Sequence, residues 1–255
     1  MIGPRGRAFL RFRGDTLLRI GIYSFASCEG CEMILFDHPR FTDMIKQHKF
    51  VYFNLVSHEP EEIPKTDISF VDGRVSSEED INKLTKIREL STYLVGLGSC
   101  SVFLGWYGKE DNNLRPITDI VRVDRVLPGC PINPDEWMYL IEYLDKTNRL
   151  PPEKRYVPVC VECPLKGESC LLRKGEICLG PITNGGCGAR CTAAGHPCEG
   201  CRGFIKGVDI TGFVNRLSTV FGASRVNEVI NLYHFPSKLR RKEEGSGRDH
   251  LKDDE

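Results

Sequence analysis

Residues 157–207 read VPVCVECPLKGESCLLRKGEICLGPITNGGCGARCTAAGHPCEGCRGFIKG, and no other stretch constrains the chain as much. They hold eight of its 12 cysteines: Cys160, Cys163, Cys170, Cys178, Cys187, Cys191, Cys198 and Cys201. Long apolar runs are missing, and Gly and Pro are frequent. Such a segment buries too little apolar surface by itself to offset its ordering entropy. Thiolate ligation of metal is the leading expectation for what holds it, because binding energy at such sites is also folding energy.

The other four cysteines are spread over the first 150 residues, so the change in density near Pro151-Pro152 marks a boundary. A chain of 255 residues suits one large domain or two small ones. Lys plus Arg and Asp plus Glu are both 35, so the formal charge is zero and no basic field points to nucleic acid. No apolar run of about eighteen residues is present, so no transmembrane helix is expected. The start, MIGPRGRAFLRFRGD, is basic but lacks an apolar h-region and consecutive arginines, which predicts a cytoplasmic location. In a reducing cytoplasm this many cysteines point to metal ligation before disulfides.

Residues 1–16 read as an N-terminal arm. LLRIGIYSFAS (17–27) has the pattern of a short buried strand and leads into Cys28-Glu29-Gly30-Cys31. A helix is expected over 31–47, with Pro39 kinking or splitting it. FVYFNLVS (50–57) and DISFVDG (67–73) read as the next two strands. Ser77-Glu78-Glu79-Asp80 has the form of a capping box, opening a helix with Ile81, Leu84, Ile87 and Leu90 on one stripe. TYLVGLGSC (92–100) is a fourth strand ending at Cys100. DIVRVDRVLPGC (119–130) is expected to be mostly extended and ends at Cys130. Asn133-Pro134-Asp135-Glu136 opens the helix 137–147. Helices are expected again over 208–222 and, shorter, over 225–236. The mixed-charge tail 238–255 reads as a solvated, disordered end.

Strands alternating with helices predict an α/β fold, with a doubly wound parallel sheet over 17–150 and a small irregular, partly helical unit over 151–237. Loops beyond the carboxyl ends of such strands converge at a topological switch point. Cys28, Cys31, Cys100 and Cys130 all follow strand-like runs, so they can meet at one edge despite their separation. The Gly-Ser-Cys and Pro-Gly-Cys contexts place Cys100 and Cys130 on exposed turns rather than in the core.

The twelve cysteines divide into three fours, each with one C-x-x-C pair: 28/31, 160/163 and 198/201. Two intervening residues let a tight turn bring both sulfurs to one metal or cluster, with backbone amides free to bond cluster sulfides. The grouping is Cys28, Cys31, Cys100, Cys130; then Cys160, Cys163, Cys170, Cys178; then Cys187, Cys191, Cys198, Cys201. Cysteine runs can lend a ligand to a neighbouring cluster, so the split of the last eight stays open. Structural zinc is the rival, but zinc ribbons usually pair two C-x-x-C knuckles per site, and the spacing here favours iron–sulfur. Catalytic thiols need a nearby base, and His196 is the only histidine in the segment. Arg190, Arg202 and Lys206 either offset cluster charge or are solvated.

SCEGCE (27–32), GSC (98–100), VLPGCPINPDE (126–136), CLGPITNGGC (178–187) and GHPCEGC (195–201) occur in one order. Together they resemble the small, electron-transferring subunit of nickel–iron hydrogenases, over about residues 18–205. The resemblance implies a flavodoxin-like domain with a proximal cluster on Cys28, Cys31, Cys100 and Cys130. It also implies a distal cluster on Cys160, Cys163, Cys170 and Cys178, and a medial one on Cys187, Cys191, Cys198 and Cys201. All three would be 4Fe-4S. The nickel–iron centre would sit on the large subunit and FAD on a flavin-bearing NAD(P) reductase subunit, with a ferredoxin-like iron–sulfur subunit as a further partner. No catalytic residue is expected on this chain.

Two departures from the periplasmic uptake members bear on subtype. They begin the distal set with histidine, where this chain has Cys160, and commonly use three medial cysteines, where this chain adds Cys191. More thiolate charge lowers cluster potentials, which suits a low-potential acceptor such as NAD(P). Among subtypes the chain looks most like the delta subunit of archaeal cytoplasmic, NADP-linked sulfhydrogenases. Alternatives are coupling to deazaflavin or heterodisulfide reduction, and a zinc-stabilised scaffold without redox chemistry. The related one-cluster subunit of the quinone-reducing respiratory complex resembles the first half only. It uses adjacent cysteines instead of C-x-x-C and lacks the other eight.

Overall fold

The computed structural model describes residues 17–58, 60–105, 113–153 and 157–233. The expected arm (1–16) and charged tail (238–255) lie outside the described residues. The strands are β1 (Arg19–Ser24), β2 (Lys49–Phe53), β3 (Thr66–Asp72), β4 (Arg74–Val75), β5 (Ser91–Leu97), β6 (Arg115–Pro116) and β7 (Arg125–Leu127). Five of them form a parallel sheet in the order β2-β1-β3-β5-β7. Counting only strands of that sheet, this is the flavodoxin-like order, which reverses direction between β1 and β3. A short antiparallel pair, β4 with β6, stands beside it.

Side-chain alternation along the strands builds a core on each face. Ile20, Ile22, Ile68, Phe70, Val95 and Leu97 point to one side. There they meet Leu35 of α1 (Gly30–Phe36), Phe41 and Met44 of α2 (Phe41–Gln47) and Trp137, Ile141 and Leu144 of the later helix 134–147. Tyr23, Val71 and Leu94 point to the other side, against Leu84 and Ile87 of α3 (Glu78–Leu90). Each such fully buried side chain stabilises by roughly 1.5–3 kcal/mol. The sheet is therefore doubly wound, as the alternating pattern predicts.

The long helix expected over 31–47 is two helices, α1 and α2, parted at His38-Pro39. The capping box is present in both directions: Ser77 Oγ accepts from the Asp80 amide, and Asp80 accepts from the Ser77 amide. The expectation for 119–130 needs correction. Ile117–Asp119 is a 3-10 turn and only Arg125–Leu127 is strand. The Asp124 carboxylate explains the late start, since it takes the Leu94 amide at 3.0 Å and the Arg88 guanidinium at 2.5 Å. A side chain thus satisfies a donor that another ladder residue would have used. A short helix that the sequence did not announce, α4 (Cys100–Phe103), follows β5.

After α5 (Pro134–Thr147) the cysteine-rich stretch contains the single turns α6 (Val159–Glu162) and α7 (Arg190–Ala193) and a 3-10 turn, Gly167–Ser169. It does share an apolar core, contrary to the expectation that metal alone would hold it. Ile177, Leu179 and Ile182 pack with Leu217 of α8 (Ile210–Phe221) and Val226 of α9 (Ala223–Ile230). The apolar partners lie downstream of the stretch, so its own composition did not reveal them. The expected last helices are α8 and α9, the second closing in a 3-10 turn, Asn231–Tyr233. Among the described residues no helix is long and apolar enough to cross a membrane.

The capping box gives the first test. Ser77→Ala should cost about 1 kcal/mol in a denaturant titration. Partial burial raises Asp80, but hydrogen bonds from Ser76 and Ser77 outweigh it and hold the carboxyl below its ordinary value. A depressed carboxyl contributes stability above its unfolded pKa and loses it as pH falls through the folded one. Acid should therefore weaken the fold from about pH 4 downward through this group, and Asp80→Asn should flatten that slope in unfolding midpoints.

Candidate metal centres

The first quartet forms where three strand ends meet. Just past β1, Ala26 is bridged to Arg74, and the Ser27 hydroxyl accepts the Glu29 amide at 3.0 Å as the chain turns into α1. Glu29 takes a left-handed conformation there (φ 59°), which sets Cys28 before the helix and Cys31 in its first turn. β5 and β7 end side by side: the Gly98 amide bonds Leu127 O and the Ser99 amide bonds Gly129 O, each at 2.8 Å. Those bonds bring Cys100 and Cys130 to the same edge as Cys31. Their thiols are within electrostatic reach: Cys31 of Cys100 and Cys130, Cys100 of Cys28, and Cys130 of Cys100 and Cys28.

Two glycines make room for this gathering. At Gly98 (φ +73°) a Cβ would lie 2.5 Å from the Cys31 sulfur, and at Gly105 (φ +66°) 2.5 Å from the Cys100 sulfur. Exposure differs from expectation at one position. Cys28 and Cys130 are exposed, but Cys100 is buried at 7% because α4 folds it under the sheet edge.

The electrostatics are those of acids crowded into low dielectric. Burial first, then the Asp72 carboxylate, pushes Cys31 well above the usual thiol range and Cys100 up to about 11. Cys130 is exposed as a residue, yet partial burial of its thiol, then Cys100 and Cys28, raises it to about 11. Burial raises Asp72 to about 6, while burial with Asp72 and Glu29 raises Glu32 to about 8. Sequence reasoning did not single out Glu32 or Asp72; Glu32 follows a cysteine on an otherwise apolar helix face, and that was its signal. A bound cation reverses the local logic, since a coordinating thiol is deprotonated outright.

The second quartet lines a cavity of about 150 Å³ walled by Cys160, Cys163, Cys170 and Cys178 with Leu165 and Leu171. Burial, then Cys178, Cys163 and Cys170, lifts Cys160 to about 11. In the third group, Cys201 lies within electrostatic reach of Cys187 and Cys191, and burial takes it to about 12. Cys198, also taken to about 12 by burial, feels both Cys178 and Cys201, so it stands between the second and third groups. The Glu162 carboxylate accepts the amides of Gly186, Cys187 and Ala189 at 2.9, 3.2 and 3.3 Å, tying the second group's loop to the third's.

All twelve thiols are free of disulfides. Among the described residues no three His, Cys, Asp or Glu side chains adopt a spacing that would hold a single metal ion. Of the basic residues weighed from sequence, Arg202 is 1% exposed, whereas Arg190 and Lys206 are at the surface. His196 is exposed too, and its amide bonds Cys191 O at 2.9 Å.

A family profile described as NADH ubiquinone oxidoreductase, 20 kDa subunit, matches residues 28–144. That span contains the first quartet and none of the other eight cysteines. The actinobacterial-type NiFe-hydrogenase of Ralstonia eutropha H16 superposes at TM-score 0.57 and 16% identity, over 94% of each chain, which is a likeness of fold. Sulfhydrogenase 2 subunit delta of Pyrococcus furiosus is 31% identical over 207 residues, covering 73% of this chain and 86% of that protein. The chain belongs to the nickel–iron hydrogenase small-subunit family. It is a hydrogenase subunit, part of an oxidoreductase complex. Another relative, a subunit of the F420-non-reducing hydrogenase vhu of Methanocaldococcus jannaschii, is 28% identical over 238 residues, 73% of this chain and 82% of its own.

The glycine at the end of β5 gives a test of the first centre in this hydrogenase subunit. Gly98→Ala must displace the Cys31 sulfur or the strand end. Elemental analysis of the purified complex should show partial loss of metal, with the second and third groups still loaded. Full metal content in that variant would mean that the strand end, and not the Cys31 sulfur, gives way.

Proposed function

We propose that this chain is the electron-relay small subunit of a bidirectional nickel–iron hydrogenase and holds three 4Fe-4S clusters. Cys28, Cys31, Cys100 and Cys130 would ligate the proximal cluster. Cys160, Cys163, Cys170 and Cys178 would ligate the distal one, and Cys187, Cys191, Cys198 and Cys201 the medial one. The unit over 17–150 carries the first and the unit over 151–237 the other two. When bound, such clusters accept and return single electrons. The chain's own residues ligate, insulate and set potential.

The observation that carries this reading is the gathering of the cysteines into neighbouring groups inside a hydrogenase small-subunit fold. The donor chemistry fits the cofactor: all-thiolate quartets, one of them lining a cavity. Cys160 lies within electrostatic reach of the rest of its group, which supports a fourth distal thiolate. Cys191 does the same for Cys201. Extra thiolate charge favours low potential and hence a pyridine-nucleotide acceptor. The partners are a large subunit with the nickel–iron site, an FAD-bearing NAD(P) reductase subunit and a ferredoxin-like subunit, in the cytoplasm.

A second reading concerns the acceptor alone. The relative from Methanocaldococcus belongs to a hydrogenase named F420-non-reducing, which favours delivery to another reductase, such as a heterodisulfide reductase, over a deazaflavin.

Anaerobic purification of the native complex should yield about twelve irons per small subunit with matching acid-labile sulfide. Hydrogen should then reduce NAD(P) through the complex. Zinc in place of iron would end the relay reading. Iron with hydrogen-dependent reduction of a viologen but not of NAD(P) would move the acceptor to the second reading.

A further inference from the structure

The loop that carries Cys187, in the third group, closes on a carboxylate. Glu162 Oε1 accepts the backbone N–H groups of Gly186, Cys187 and Ala189 at 2.9, 3.2 and 3.3 Å, and the Cys187 sulfur lies 3.5 Å from the same oxygen. The loop is shaped for that convergence. Ala189 takes a left-handed backbone (φ 50°), which an alanine adopts only at a steric cost. At Gly185 a Cβ would lie 2.9 Å from Val157 O and 3.5 Å from the Glu162 carboxyl, so the close approach of loop to carboxylate needs glycine there.

Backbone N–H groups turned toward one point form a nest, a concavity in which proteins hold anions, at many iron–sulfur sites among others. Here a side chain of the protein fills it. The Gly186 and Cys187 amides are directed to a carboxylate and away from the Cys187 sulfur. The second group shows the opposite arrangement, since the Cys198 amide donates to the Cys178 sulfur at 3.3 Å.

The charge of Glu162 also stands without a counter-ion. Among the described residues no Lys, Arg or His lies within ion-pair distance of it. The guanidinium beside the same loop, Arg202, bonds Gly185 O at 2.9 Å and pairs with both oxygens of Glu136 at 3.0 and 2.8 Å. Glu162 ends α6, between Cys160 and Cys163, so the turn that presents two thiols of the second group also delivers a negative charge to a thiol of the third.

The potential of an iron–sulfur cluster follows its net charge and the hydrogen bonds to its sulfurs. A negative charge beside the cluster, or an amide turned away from it, makes the addition of an electron harder. We propose that Glu162 is the residue that sets the potential of the third group's cluster, shaping the Cys187 loop and lowering that cluster's reduction potential. This rests on the relay reading above and adds to it a residue that ligates nothing. The carboxylate acts as a fixed charge, and no bond or proton moves in this role.

The test is a potentiometric titration of the assembled complex read by electron paramagnetic resonance, native against Glu162→Gln and Glu162→Asp. Glutamine keeps an oxygen for the three amides and removes the charge. Cys187→Ser, which perturbs the signal of one cluster, assigns the third group's resonance. At an effective dielectric of about 20, a unit charge this close to a ligand sulfur changes a one-electron equilibrium by roughly 10-fold or more. Glu162→Gln should therefore raise the reduced-to-oxidised ratio of the third cluster about 10-fold at a given potential, a positive shift of about 59 mV for a one-electron couple. Glu162→Asp, which withdraws the charge by one methylene, should shift it the same way by less. The first cluster should stay where it is, and iron per chain should be native. An iron-replete Glu162→Gln with a native third-cluster potential overturns the proposal, as does a shift confined to the second cluster. If Glu162→Gln loses iron, Glu162→Asp decides, and a third-cluster potential that is not raised in that variant overturns it equally. Zinc or missing iron in the unaltered complex would instead sink the relay reading, before any variant is compared.

Discussion

The gathering of buried thiols beside carboxyl groups is the constraint on which this structure turns. Thiols from distant parts of the chain are drawn into low dielectric beside carboxyl groups, and burial raises most of them well above the usual thiol range. Asp72 and Glu32 share that environment and are themselves raised toward neutrality. In the proposed relay these thiols would hold iron as thiolates, their protons released on binding.

The fold answers that constraint with two different devices. In the first unit a rigid parallel sheet delivers three loops to one edge, so that strand ends do the positioning and the loops stay short. In the second, tight turns between cysteines do it, steadied by a small apolar core that α8 and α9 complete from outside the stretch. Each device suits its setting. A flavodoxin-like sheet has an open crevice at its reversal point, whereas a cysteine-rich ribbon has no strand ends to use.

Arg202 joins the two units, and its environment shows why a guanidinium stands there. Four acceptors on three separate segments, Gly185 O, Pro128 O and both Glu136 oxygens, lie within its reach. A lysine offers a point charge and three rotating donors, so it cannot match that fork. Tyr233, buried in the 3-10 turn that ends the described chain, lies within electrostatic reach of Cys130 and Cys201. Chain segments far apart in sequence therefore meet within a few side chains of the candidate ligands.

Much of the site was legible in the residues themselves. Strand-like runs before Cys28, Cys100 and Cys130 announced a shared edge, and C-x-x-C spacing announced pairs that can share a metal. Period-two and period-three patterns placed the sheet and α3 because they encode burial locally. The 119–130 segment misled because the Asp124 carboxylate, bonded to Leu94 and Arg88, stands in for a ladder residue, and no local pattern signals such a replacement. Cys100 misled likewise: its Gly-Ser context describes a turn, but only α4 decides that the turn is buried.

By itself, then, the sequence determined the sheet and the family, since these follow from periodicity and motif order along the chain. Only the tertiary structure decided that Arg202 is an interior clamp while Arg190 and Lys206 are solvated, and that Cys198 stands between two groups. Those outcomes depend on which surfaces the two units bury against each other, and burial between segments far apart along the chain leaves no local trace in either.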